Sequence, residues 1–144
     1  MKAKELSRQL DHRRIVAAIG NAEKHTSGEI RVYVSYRKAR DPHHDATRQF
    51  LKLGMNKTNH RNAVLIYVAP ESQTFAIIGD EAVHARCGQE FWERVAGGMA
   101  ELFRQKKFTD GIVHGIDTAG RLLAEHFPAQ GGSHNELPDS IAEE

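Results

Sequence analysis

The periodicities along this chain predict an α/β fold, with helices on both faces of a small mixed β-sheet. Three observations carry that expectation. A strand-length segment at 29–36 alternates apolar and polar side chains, and the stretch at 63–69 is continuously apolar. A helical period separates those two segments and returns after residue 80. A strand–helix–strand order makes the two strands parallel neighbours joined by a right-handed crossover, and helices then cover both faces.

Each element has its own signal. Leu6, Leu10, Ile15, Ile19 and Ala22 recur at helical spacing, so residues 4–25 read as one amphipathic helix that Ser27-Gly28 ends. In the first strand Ile30, Val32, Val34 and Tyr36 share one face, while Glu29, Arg31, Tyr33 and Ser35 share the other, the pattern of a half-buried strand. Asp41-Pro42 is a helix start, Asp as cap and Pro in the first turn. Ala46, Phe50 and Leu53 make that helix's stripe, which is expected to end near Lys57.

The run at 63–69 suits a central strand covered on both faces. Pro70-Glu71-Ser72-Gln73 is turn chemistry, so a third strand at 74–78 forms a hairpin with the second. Phe91, Val95, Met99 and Leu102 mark the next helical stripe, and Ile112, Ile116, Ala119 and Leu123 the last. Gly97-Gly98 inside the first of these costs about 1 kcal/mol per glycine relative to alanine, which points to close packing there. The expected division is one domain at 1–127 and a flexible, acidic C-terminal tail at 128–144.

Composition narrows the function. The chain has 144 residues, 40% hydrophobic and 27% charged, so it belongs with ordinary globular domains rather than disordered segments. Its net charge is only +1, which argues against nucleic-acid binding. Cys87 is the sole cysteine, and no intrachain disulfide can form. The opening MKAKELSRQLDHRR has no apolar core for a secretory signal, and the longest apolar run falls far short of the roughly 20 residues of a membrane span. A cytoplasmic protein without membrane insertion is the expectation.

Several motifs then resemble a known family. SGEIRVY at 27–33, LGMNKT at 53–58, RNAVLIY at 61–67 and FAIIGD at 75–80 are similar to segments of short bacterial members of the TPM domain family. Phe91-Trp92, Phe108-x-x-Gly111 and NELPD at 135–139 follow in the family's order. The resemblance implies a three-layer α/β/α sandwich. It also implies relatives that work beside membranes, in the thylakoid lumen during photosystem repair or ahead of a transmembrane helix in bacteria. Some members are credited with acid phosphatase activity and some with calcium binding. Without a signal or membrane helix, this sequence resembles the cytoplasmic subgroup often encoded near a LemA-type membrane protein.

The predicted topology brings polar residues to one sheet edge. Glu29 begins the first strand, Arg61 and Asn62 precede the second, and Asp80 and Glu81 follow the third, with Thr58 and His60 in the loop feeding the same edge. Carboxylates and a carboxamide are the hard oxygen ligands that Ca²⁺ or Mg²⁺ prefers. The competing reading pairs Arg61 with a carboxylate and makes Asp80 a helix cap. Glu29 and Arg31 read as an exposed ion pair, and Thr109-Asp110 as an N-cap.

His43-His44 reads as a solvated face, because adjacent side chains on a helix diverge by about 100°. Asp80 and His84 have the one-turn spacing that can share an ion, without a third ligand at a diagnostic spacing. Cys87 lies seven residues before Arg94, one too many for a cysteine-phosphatase loop, and reads as a bystander thiol.

Three functions follow from these residues and the resemblance. The first is a Ca²⁺-binding module with Glu29, Asn62, Asp80 and Glu81 as ligands and Mg²⁺ as the alternative ion. The second is a metal-assisted acid phosphatase in which Arg61 holds the phosphate. The third is an interaction module for a membrane-associated protein of the LemA type, with Leu137 and Ile141 of the tail as anchors.

Overall fold

A computed structural model of the protein describes residues 1–129 and 141–143. Its centre is a four-stranded sheet in the order β3-β2-β1-β4. Strand β1 (Ile30–Val34) runs parallel to β2 (Val64–Ala69), with Ile30 opposite Val64 and Val34 opposite Val68. Strand β3 (Thr74–Gly79) returns antiparallel to β2, as the turn chemistry at 70–73 required. Gln73 closes that turn in the left-handed region at φ 52°.

The single helix expected over 4–25 is two helices, α1 (Ala3–Gln9) and α2 (His12–Glu23). Leu10 is extended, and the Asp11 carboxylate accepts a hydrogen bond from the Arg14 amide as the cap of α2. An aspartate that binds the backbone locally competes with helix continuation, while the apolar period runs through the break. The stripe survives, with Leu6, Ile15 and Ile19 all buried.

Helix α3 (Pro42–Lys52) starts as predicted at Asp41, whose side chain accepts from the His44 amide. It ends five residues earlier than expected, at a left-handed Gly54 followed by a 3₁₀ turn at Met55–Lys57. Helix α4 (Glu81–Arg104) is interrupted at Gly88, where φ is 71°, and α5 (Phe108–His126) follows a tight turn through a left-handed Lys106.

The layers explain the burial. On one sheet face Ile30, Val32, Val34, Val64, Ile66 and Val68 pack against α1, α2, α4 and α5. On the other, Tyr33, Leu65 and Tyr67 lie under Ala46 and Phe50 of α3. This is the α/β/α sandwich. Strand β1 is therefore covered on both faces rather than half-buried, because α3 folds back over its second face and leaves Tyr33 only 2% exposed.

The close packing expected at Gly97-Gly98 belongs to Gly98 alone. A β-carbon there would stand 1.9 Å from Nε2 of His114 on α5, whereas Gly97 has nothing within 4 Å. Gly97→Ala is accordingly expected to raise the unfolding free energy by up to about 1 kcal/mol, the helix-propensity difference. Urea denaturation checks it, and an unchanged midpoint would deny that Gly97 is merely tolerated.

Thr109 and Asp110 do not cap α5, contrary to the sequence reading. Helix α5 begins after Lys107. Thr109 Oγ1 instead accepts from the Asp11 amide at 3.0 Å, and Asp110 pairs with Arg14 at 3.0 Å. Both side chains tie the start of α5 to the start of α2. At the end of the chain, Ile141 packs against the main core and β4 (Ala142–Glu143) pairs in parallel with β1 at Tyr33 and Val34. Leu137 and the NELPD motif lie outside the described residues.

Candidate functional site

Strands β1 and β2 begin at the end of the sheet where β3 finishes, so backbone hydrogen bonds bring the predicted residues to one edge. The Val64 amide donates to the Glu29 carbonyl at 2.8 Å, and the Asp80 amide donates to the Ala63 carbonyl at 2.9 Å. Asp80 leaves β3 and caps α4, its Oδ1 accepting from the Glu81 amide at 2.8 Å. It is 5% exposed.

Arg61 dominates this edge. Its Nε and Nη2 donate to the two Asp80 carboxylate oxygens at 2.8 and 3.0 Å, and Nη1 reaches Glu81 Oε1 at 3.4 Å. The backbone of Arg61 is left-handed, φ 52°, and its carbonyl accepts from the Ala82 amide at 3.1 Å. One residue thus fastens the loop before β2 to the first turn of α4 through both main chain and side chain. The guanidinium pKa is pushed up, chiefly by the hydrogen bond to Asp80 against partial desolvation, with the charges of Asp80 and Glu81 acting the same way. It remains a fixed cation at any physiological pH.

The other predicted residues have separate partners. Asn62 is buried and its Nδ2 donates to Ser27 Oγ at 3.1 Å, bracing the loop ahead of β1. Glu29 is 3% exposed at the start of β1, so it does not form the exposed ion pair with Arg31 expected from the strand pattern. Closure of the sheet end by Thr26, Ser27 and the 58–63 loop places it inside. Five of the buried polar residues, Thr26, Glu29, Thr58, Asn62 and Asp80, lie at this one end.

The structure therefore brings Arg61, Asp80 and Glu81 into contact and places Asn62, bonded to Ser27, and the buried Glu29 at the same end of the sheet. Among the described residues no three His, Cys, Asp or Glu side chains converge as a ready-made metal cage. Ser27 is a site residue the sequence reading treated only as a helix stop. Its hydroxyl carried no distinct signal, being one of several polar groups in the Thr26-Ser27-Gly28-Glu29 stretch that leads into β1.

Remaining candidates disperse. His43 and His44 are exposed on the first turn of α3. His84 packs on Trp92, ring centroids 4.9 Å apart, rather than joining Asp80 on an ion. Burial pushes the Cys87 thiol up, with Glu125 adding to the effect and Arg86 opposing it, so the thiolate is disfavoured at neutral pH.

A mixed four-stranded sheet between one helix and four, with an arginine–carboxylate latch where three strand ends meet, defines a small α/β/α module. The chain belongs to the TPM domain family, whose model matches residues 2–122. It is similar to the BA42 protein of the psychrophilic bacterium Bizionia argentinensis, solved by NMR, with a TM-score of 0.87. That likeness is 39% identical and covers 92% of each chain. No match is found among curated proteins. The family read from the motifs is confirmed, and the match begins before them, taking in α1.

Proposed function

We propose that this TPM domain is a divalent-cation-binding module, with Ca²⁺ the favoured ion, Mg²⁺ the alternative, and Asp80 and Glu81 the principal ligands. One observation carries the reading: a single guanidinium bridges two adjacent carboxylates at a sheet end. Arg61 occupies the place a hard cation would take, and with its side chain 41% exposed it can swing into water when displaced. Asn62, Glu29 and nearby main-chain carbonyls are the further oxygens within the same edge.

Because the ion must replace Arg61 and draw on water for part of its shell, its dissociation constant is expected at roughly 10⁻⁴–10⁻³ M. Calcium titration followed by backbone amide NMR should give saturable shifts at Arg61, Asn62, Asp80, Glu81 and Ala82. Asp80→Asn should abolish them, and Arg61→Gln should tighten binding by unloading the carboxylate pair. Silence at millimolar calcium in both wild type and a folded Arg61→Gln protein would end the proposal.

The acid phosphatase reading ranks second. It asks Arg61 to hold a phosphate, and all three of its guanidinium nitrogens lie on carboxylates. Work in the cytoplasm beside a membrane-associated protein of the LemA type is part of the first reading. No helix among the described residues is long and apolar enough to cross a membrane, so such a contact would use the surface of the domain.

A further inference from the structure

The opposite end of the sheet holds a cleft that the cation reading leaves unused. Strands β1 and β2 are parallel, so their carboxyl ends open together, and in open α/β sheets that is where ligands gather. A cleft of about 610 Å³ lies there, between those strand ends and α3. Its floor contains Tyr33 and Tyr67, register partners on adjacent strands whose rings stack 5.6 Å apart and 6° from parallel. Both are nearly fully buried, which makes the floor rigid.

The walls are basic. Arg37, Lys38 and Arg40 come from the segment leaving β1, and Arg48 and Lys52 stand one helical turn apart on α3. Asp45 is, among the described residues, the one carboxylate lining the cleft. Among the described residues Arg37, Lys38, Arg40 and Arg48 have no carboxylate partner. The chain as a whole carries only +1, so this concavity concentrates positive charge that the remaining surface offsets.

We propose that this cleft binds a small polyanion carrying two or more phosphate groups. Three arginines favour phosphate, whose oxygens accept the planar guanidinium fork. The volume is that of a small-molecule pocket, whereas a nucleic-acid duplex or a bilayer presents its charge on a surface too broad to enter. Phosphates of a free metabolite and of an inositol-lipid headgroup share this chemistry.

The test is a titration of the full chain with inorganic tripolyphosphate in EDTA, at constant ionic strength, followed by backbone amide NMR. EDTA keeps cation binding at the Asp80 end out of the measurement. Saturable shifts confined to 33–40, 45–52 and Tyr67 are expected. Arg40→Gln and Arg48→Gln should each weaken binding roughly tenfold, the scale of a charged hydrogen-bonded contact. Arg94→Gln, which removes an equal charge on α4, should leave affinity unchanged. A headgroup source is distinguished by vesicles with and without phosphatidylinositol bisphosphate, and tighter binding to those vesicles with tripolyphosphate competing still supports the cleft. The proposal is overturned by equal shifts with sulfate or an equal loss in Arg94→Gln. Binding only to phosphatidylserine vesicles or to single-stranded nucleic acid overturns it as well.

Discussion

Phe91→Ala is expected to lower the unfolding free energy by about 3–5 kcal/mol, the cost of deleting a buried aromatic side chain and leaving its cavity. Phe91 is 1% exposed and lies three residues past the break at Gly88, on the part of α4 that adds Phe91, Val95 and Met99 to the main core. Its ring meets Trp92 edge-to-face with centroids 4.7 Å apart. Phe91 belongs to a core that helices and the sheet build together, and α4 is held between α5 and β3, which limits how far the void can close. Total stability for a domain this size is about 5–15 kcal/mol, and the melting temperature should fall by roughly 10 °C or more. Urea and thermal denaturation measure it. A loss below about 1.5 kcal/mol would mean that the segment after Gly88 repacks freely.

Gly120→Val should be comparably damaging, at about 3 kcal/mol, through overpacking instead of a cavity. Gly120 lies on α5 where it crosses α2, and a β-carbon there would stand 2.7 Å from the Ala22 Cβ and 3.4 Å from its Cα. Neither atom belongs to a flexible side chain, so the two helices must separate. The diagnostic experiment is a double-mutant cycle with the smaller change. Gly120→Ala should cost less in an Ala22→Gly background than in wild type, because the closest contact is then gone. Additive effects would show that the helices do not touch through this pair.

Part of the candidate site was legible in advance. Placing Glu29, Arg61, Asn62 and Asp80 at one edge needed only strand order and direction, and both follow from connectivity. The partner of each was not legible. Arg61 reaches Asp80 and Glu81 because its backbone takes the left-handed region, and an arginine in the sequence carries no mark of that. Asn62 turns to Ser27, 35 residues away, because β1 and β2 pair in a particular register. Thr109 and Asp110 looked like caps since capping is local, yet the approach of α2 offered them partners nearly a hundred residues distant.

Charge shows the same division. Counted along the chain, acids and bases nearly cancel, and the count argued against polyanion binding. The basic residues at 37–40 were visible after β1, as were Arg48 and Lys52 at one-turn spacing. Only the fold of α3 back over β1 sets the two groups around one concavity.

The sequence by itself determined the three longer strands, most of the helical stretches, the parallel pair, the hairpin and the family, because burial of an apolar face imposes a period that the chain must display. The break between α1 and α2, the early end of α3 and strand β4 carried no such period. The tertiary structure decided which polar groups meet: the Arg61 latch on Asp80 and Glu81, the placement of Glu29 inside, and the basic cleft over stacked tyrosines. Those contacts depend on register, crossing geometry and single backbone dihedrals. A shift of a few ångströms abolishes an ion pair while leaving every hydrophobic period intact.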